Sequence, residues 1–464
     1  MTDLLIRDAE VSGGPCTDVL LRDGLVAALG RGLPAAGIPV LDAEGGALLP
    51  GLHDHHLHLY ALAAESNSVR CGPPQVRTAA DLARALAATP GDDGWIRGIG
   101  YVETVAGLLD SAALDALHSV RPVRVQHRSG ALWVLNSAAA HRVGLDSASD
   151  PGVERDRAGR PTGRLWRADT WLRSRLPDTG PPDLTAVGAR LARYGITGIT
   201  DATPDLADES LAALGAAATS GEVPQRLTLL GVPLGRTGAA GVTTGPYKIV
   251  LADSGLPDID TLVGTVRRAH ELDRPVAVHC VSREALLLLL AAFDEVGTVP
   301  GDRIEHGAVV PAESLDVLRR LGVSVVTQPG FLTDRGDDYL RRMDPADLPD
   351  LYRCRSMAEA GVGLALSSDA PYGPLDPWQV VAAAVARRAP DGRVVGAKET
   401  LRPPDALRRY LAPLHDPGGR ARAVAPGAAA DLILLDRPLT RLLAEPTAEA
   451  VRTTIIRGRI IFDR

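Results

Sequence analysis

Through most of the chain, short apolar runs alternate with stretches whose apolar residues recur at helical spacing. Residues 198–201, 227–231, 247–251, 275–279, 303–306, 323–327 and 363–367 read as strands, because each is a brief, largely apolar or β-branched segment. Between them, residues 262–272 and 312–321 read as amphipathic helices. Short apolar strands alternating with helices imply a parallel sheet. With 48–52 added there are eight strands, the number that closes a TIM-type (β/α)8 barrel.

Two kinds of segment break the alternation. Residues 1–50 and 421–464 are strand-rich and divided by Gly and Asp turns, which predicts a small β-sandwich domain built from both termini. Residues 61–181 carry Gly/Pro-rich stretches and scattered helical patterns. They predict a large insertion after the first barrel strand, over the active face, because βα connections lie on that face. The barrel itself is expected over 51–60 and 182–420.

Composition narrows the class. The 464 residues exceed the roughly 250 of a bare barrel. Fifty basic and 57 acidic residues give a net charge of −7, without the basic excess that nucleic-acid binding favours. The longest apolar run, 285–293, is nine residues, whereas a membrane span needs about 20. Residues 1–7 lack the apolar stretch of a secretory signal. Cys16, Cys71, Cys280 and Cys354 form no C-x-x-C pair, so a soluble, cytoplasmic protein with reduced thiols is expected. Only two of the 50 basic residues are lysines, Lys248 and Lys398. A lysine that persists in such a chain can mark a place where arginine chemistry would not serve.

Histidines gather in His53-Asp54-His55-His56-Leu57-His58. Alternate residues of a strand share a face, so His56 and His58 stand together at a strand end, able to grip one ion. Alone, an H-x-H pair fits a structural or surface role as well as ligation. Lys248, His279, His306 and Asp369 each fall at or just after the end of a predicted strand, where barrel enzymes carry their catalytic groups. Residues on several strands that converge on one place point to a metal site.

The surrounding motifs resemble the amidohydrolase superfamily, and within it the branch of N-substituted formamide deformylase-like (amidohydrolase 3 type) proteins, over nearly the whole chain. Pro50-Gly51-Leu52-His53-Asp54-His55-His56-Leu57-His58 is similar to the family's PGxxDxHxH opening. Arg303-Ile304-Glu305-His306 resembles its sixth-strand motif, and Ser368-Asp369-Ala370-Pro371 its eighth-strand motif. Pro426-Gly427-Ala428-Ala429-Ala430-Asp431-Leu432 resembles its PGxxADL signature.

The resemblance implies a metal-dependent hydrolase that cleaves an amide-type, non-peptide or cyclic-amide C–N bond of a small molecule through a metal-bridging hydroxide. It implies two divalent ions, zinc being the default for His/carboxylate sites. His56 and His58 would hold the more buried ion, and His279 and His306 the more exposed one. Lys248 would be carboxylated and bridge both, and Asp369 would bind metal and act as acid/base. A carbamate needs a neutral amine, which buried lysine can supply and arginine effectively cannot. Lys248 also fits an ordinary strand-end lysine paired with a carboxylate, in a site of one metal.

Departures from the family concern the substrate. Ala131 stands where a histidine commonly follows the glycine, and Phe331 replaces another histidine. The formamide substrate is therefore not carried over. His127, Arg128, Trp133, Gln328, Phe331 and Tyr372 are candidate substrate-binding residues, each equally consistent with a core or surface role. Cys280 should face away from its neighbour His279 and pack in the core. Two alternatives remain at this stage. One is a mononuclear deaminase of a small heterocycle, and the other a catalytically inactive scaffold. Apart from the small-molecule substrate, no nucleic-acid or membrane partner is expected, and a homo-oligomer is compatible with the family.

Overall fold

The computed structural model describes residues 3–35, 37–91, 94–177, 180, 182–253 and 255–464. Met1, Thr2 and Pro181, which enter the readings of the N-terminus and of the insertion's end, lie outside the described residues. The chain divides into two compact units, Met1–Leu59 with Asp183–Arg464, and Tyr60–Pro182.

Eight of the first unit's parallel strands carry the pattern read from the sequence. They are β1 (Leu52–Leu57), β2 (Ile196–Asp201), β3 (Arg226–Leu229), β4 (Tyr247–Val250), β5 (Val276–Cys280), β6 (Arg303–His306), β7 (Ser324–Thr327) and β8 (Gly363–Leu366). β1 to β3 pair in sequence order, with the short strand Val242–Thr244 beyond β3, and β4 to β8 pair in sequence order in a second sheet. Backbone hydrogen bonds bridge both seams. Lys248 N donates to Leu230 O at 3.2 Å, Asp369 N to His56 O at 2.9 Å and His58 N to Ala370 O at 2.9 Å. The seams are thus stitched at the very residues the sequence marks for chemistry. Every position of β1 is buried, as in strands covered on both faces. Helices Ile259–His270 and Arg283–Val296 begin where the side chains of Asp258 and Ser282 accept the backbone N–H of Thr261 and Ala285, which satisfies otherwise orphaned donors.

The strand read at 48–52 is in fact two strands. Ala47–Pro50 pairs with Leu432–Leu435, while β1 starts at Leu52. The break falls at Gly51, where a Cβ would stand 2.1 Å from Thr197 Cγ2. Only a residue without Cβ lets the chain pass so close to Thr197 of β2.

The termini form one connected eight-stranded sheet, and Leu4, Ile6, Val19 and Leu21 of one arm share an apolar cluster with Leu48, Leu432, Leu434 and Ile455 of the other. Leu4–Val11 carries a bulge between Ile6 and Ala9, with Asp8 at φ +49°. Its first half pairs with Val40–Asp42 and its second half with Ala47–Pro50. A bend within one strand therefore gives the segment its two arms. This sheet belongs to the same compact unit as β1 to β8. Buried Asp431 links them: it pairs with Arg226, its carboxylate accepts Arg457 N at 2.8 Å, and its carbonyl accepts Gly51 N at 2.8 Å.

The second unit is built on a six-stranded sheet, in the order Val153–Arg155, Pro161–Trp166, Leu132–Leu135, Val123–His127, Ile96–Tyr101, Val69–Arg70. The sequence pattern had suggested scattered helices only. Leu132 and Val134 pack in one apolar cluster and Trp133 and Leu135 in another, so both faces of the sheet are covered. Among the described residues, no helix is long and apolar enough to cross a membrane.

Candidate metal centre

β1 delivers His56 into the interior. Its Nδ1 contacts a carboxylate oxygen of Glu305, a fully buried residue of β6. Nε2 is therefore the nitrogen left for the site, and it lies 3.5 Å from Asp369 Oδ1. The other Glu305 oxygen accepts Arg303 Nε at 2.5 Å, and Arg303 Nη2 donates to His55 O at 3.2 Å. Burial alone would raise the Glu305 pKa; the charges of Arg303 and then His56 outweigh it and hold the carboxyl well below its usual range. Burial, followed by the Lys248 charge, brings His56 down to about 3. Neutral imidazole is the form that binds metal.

His58 follows β1 directly. Its Nε2 lies 3.3 Å from the same Asp369 oxygen, and its Nδ1 is 3.2 Å from Thr203 Oγ1. His306 ends β6 at φ +72°. Its Nδ1 donates to Gln328 Oε1 at 2.9 Å, while Gln328 Nε2 donates to Ser367 Oγ at 2.9 Å and Val326 O at 3.2 Å. That pattern fixes the Gln328 amide and leaves His306 Nε2 as the acceptor. The His306 ring stands 4.7 Å from His56 and 4.4 Å from His279, centre to centre. Burial and then His306 push His279 well below its ordinary value.

Lys248 on β4 is buried, and its Nζ has no hydrogen-bond partner among the described residues. Burial lowers its pKa against the opposing pull of Glu305 and Asp369. Asp369 sits after β8 at φ +52°. Its buried Oδ1 likewise has no hydrogen-bond partner among the described residues, although two imidazole nitrogens are near it. Burial would raise Asp369; the nearby imidazoles of His58 and then His56 prevail and hold it low.

The donors suit a divalent ion. Ligand atoms about 2.1 Å from a tetrahedral centre stand about 3.4 Å apart, and the two imidazole–Asp369 separations are 3.5 and 3.3 Å. Ligand atoms of His56, His306 and Asp369 all lie within 4.8 Å of one another. Imidazoles with a carboxylate suit zinc and its first-row neighbours.

The remaining sequence candidates fall in both units. Gln328 orients His306 rather than lining open space. Phe331 is buried under the Arg335 guanidinium, whose Cζ is 4.2 Å from the ring centre. The Tyr372 ring lies edge-on to His58 at 5.4 Å. His127, Arg128 and Trp133 belong to the second unit. His127 Nδ1 is 2.7 Å from Ser129 Oγ, and Arg128 N donates to Tyr101 O at 2.8 Å. Trp133 is a core residue, with its indole N–H on Asp169 Oδ1 at 2.8 Å. Cys280 packs in the core, and burial raises its thiol pKa. Lys398 is exposed.

Four residues of this constellation had no role from sequence: Glu305, Arg303, Thr203 and Asp54. Asp54 Oδ1 accepts the backbone N–H of His56 and of Ser368, both at 3.2 Å, and burial raises its pKa to about 7. It ties β1 to the turn after β8. Arg303 and Glu305 did leave a signal, since two opposite charges at i and i+2 on a short buried strand must find partners.

The chain belongs to the amidohydrolase family, whose model matches residues 39–462. It is similar to N-substituted formamide deformylase of Arthrobacter pascens, 26% identical over 540 aligned positions that cover 100% of this chain and 99% of that protein. Among solved structures, an uncharacterized metal-dependent hydrolase from Pyrococcus horikoshii aligns with a TM-score of 0.74 at 20% identity, over 99% of this chain and 100% of that one. N-isopropylammelide isopropylaminohydrolase of Burkholderia multivorans aligns with a TM-score of 0.54 at 17% identity, over 99% of this chain and 98% of that one. At these identities the structural matches establish a shared fold.

Proposed function

We propose that this protein is a metal-dependent hydrolase that cleaves a carbon–nitrogen bond, amide-type and other than peptide, in a small molecule. One observation carries the reading. Histidine and aspartate ligand atoms from β1, β6 and the turn after β8 converge beside a buried lysine amine that has no hydrogen-bond partner among the described residues. Family membership supports it, and a deformylase and an isopropylaminohydrolase among the similar proteins support a carbon–nitrogen target. We read the two parallel sheets as one (β/α)8 barrel, closed by the hydrogen bonds at Lys248 and Asp369.

His56 and His58 would hold one ion and His279 and His306 a second, with Lys248, as its carbamate, shared between them. A bound divalent ion supplies Lewis acidity, polarising a carbonyl and lowering the pKa of water to about 7. The chain's own residues do the rest. Glu305, Thr203 and Gln328 hold the Nδ1 sides of His56, His58 and His306, so that each Nε2 remains for ligation. Asp369, ionised and with one oxygen unbonded, takes the proton from attacking water and returns it to the departing nitrogen. A one-ion site is the second reading, favoured by the close approach of His56, His58 and Asp369 alone.

The test is a panel of N-formyl amines, N-acyl amines and cyclic amides presented to metal-loaded protein. The reading expects turnover that a chelator abolishes and that Asp369→Asn cuts about 10²–10⁴-fold. Turnover insensitive to both treatments would overturn it.

A further inference from the structure

His58 lies just past the end of β1, where strand pairing no longer holds the chain. Its backbone N–H donates to Ala370 O at 2.9 Å, and its Nδ1 stands 3.2 Å from Thr203 Oγ1. The next residue, Leu59, donates its N–H to Asp201 Oδ2 at 2.7 Å. Asp201 is the last residue of β2 and is buried. Its other oxygen, Oδ1, accepts the N–H of Thr203 at 3.0 Å.

The backbone around Asp201 is tied into the same corner. Its carbonyl accepts Leu230 N at 3.0 Å, and the residue after it, Ala202, donates to Leu57 O at 2.8 Å. The carboxylate is thus anchored where β1, β2 and β3 end together.

One side chain therefore grips both segments that decide how His58 is presented. Through Oδ2 it fixes the chain immediately beyond the ring. Through Oδ1 it fixes the turn that carries the Thr203 hydroxyl to Nδ1. Two N–H groups on two oxygens require an acceptor at both positions, and asparagine would set an NH2 donor against one of them. A buried N–H that loses its acceptor is costly, so the turn would shift to find another. The His58–Thr203 contact has little slack. At 3.2 Å it is already at the long end of the hydrogen-bond range, and a small displacement of either segment breaks it. An imidazole that binds metal through one nitrogen is oriented by the hydrogen bond at the other.

We propose that Asp201 is a positioning residue for His58. It holds the Thr203 hydroxyl against Nδ1 and the chain beyond the ring, so that Nε2 stays directed beside Asp369 Oδ1, 3.3 Å away, and open to a metal ion. The inference rests on the hydrolase reading, because it takes His58 for a ligand.

The test is zinc affinity by chelator competition in the full-length protein, with His58→Ala identifying the ion concerned. Asp201→Asn and Thr203→Val should each weaken that ion's binding about 10–100-fold. Thr203→Ser, which keeps the hydroxyl, should bind as the parent does. The double variant Asp201→Asn with Thr203→Val should be no weaker than the worse of the two alone, because both remove one hydrogen bond. Losses that multiply in the double variant would overturn the proposal, since Asp201 would then act on the fold and not through Thr203. Zinc bound as tightly by Thr203→Val as by the parent would also overturn it, and that arm stands even if Asp201→Asn fails to fold. A parent that binds no zinc would overturn the hydrolase reading and this inference with it. Tight binding that the variants leave untouched would overturn this inference alone.

Discussion

Lys248 is one of two lysines in a chain that otherwise uses arginine, and its amine is buried beside Glu305 and Asp369. Burial favours the neutral amine, the form that carbon dioxide can carboxylate and that a guanidinium cannot imitate. Lys248→Arg should therefore lower bound metal to one ion per chain or fewer, as read by elemental analysis, although it keeps the charge and most of the length. Glu305 is the second decisive residue. Glu305→Gln should weaken metal affinity about 10–100-fold in chelator competition, because the carboxylate no longer orients His56. It should also lower stability by about 3–5 kcal/mol in urea unfolding, since Arg303 is left buried without its partner. The positions of His56, His58, His279, His306 and Asp369 at or just after strand ends could be read from the apolar pattern and the motifs, whereas Lys248, expected at a strand end, is the second residue of β4. The pairing of Glu305 with His56 could not, because 249 residues separate them and no local rule relates the two.

At the scale of elements, close approach governs what a glycine can become. A Cβ on Gly51 would meet Thr197 Cγ2 at 2.1 Å, where the terminal sheet hands over to β1. Gly51→Ala should cost about 1–3 kcal/mol through overpacking. Gly264, on helix Ile259–His270, has nothing within 4 Å of its would-be Cβ. Gly264→Ala should instead stabilise by about 0.5–1 kcal/mol through backbone entropy. Chemical denaturation of the two variants should give opposite signs. Most strands of the first unit were legible because they are short, largely apolar or β-branched runs, as in Ile196–Asp201, Val276–Cys280 and Gly363–Leu366. The sheet of the second unit was not. Its strands are short, and Arg97, Gly98, Gly100, Arg124 and Gly163 interrupt the alternation that would betray them. The break at Gly51 was hidden for another reason: Leu48 to Leu52 is continuously apolar apart from Pro50 and Gly51, and nothing in the sequence says that its halves join different sheets.

At the scale of the whole molecule, each compact unit has its own sheets and its own apolar clusters. The candidate metal ligands all come from the first unit, from five strands spread between His56 and Asp369. Metal bound there should stabilise the folded first unit by mass action, by about 2.7 kcal/mol at a free-metal concentration one hundred times Kd. Removal by chelation should accordingly lower the thermal midpoint, and added divalent metal should restore it. Calorimetry on stripped and reloaded protein reads this without reference to any substrate.

The most direct measurement of the central claim is metal content by elemental analysis of protein expressed with zinc and bicarbonate, together with Lys248→Ala and His56→Ala. A site bridged by Lys248 predicts about two ions per chain in the parent protein and fewer in both variants. One ion per chain, unchanged by Lys248→Ala but lost in His56→Ala, would contradict the bridge and leave the one-ion reading. No metal under any loading condition would contradict the hydrolase itself.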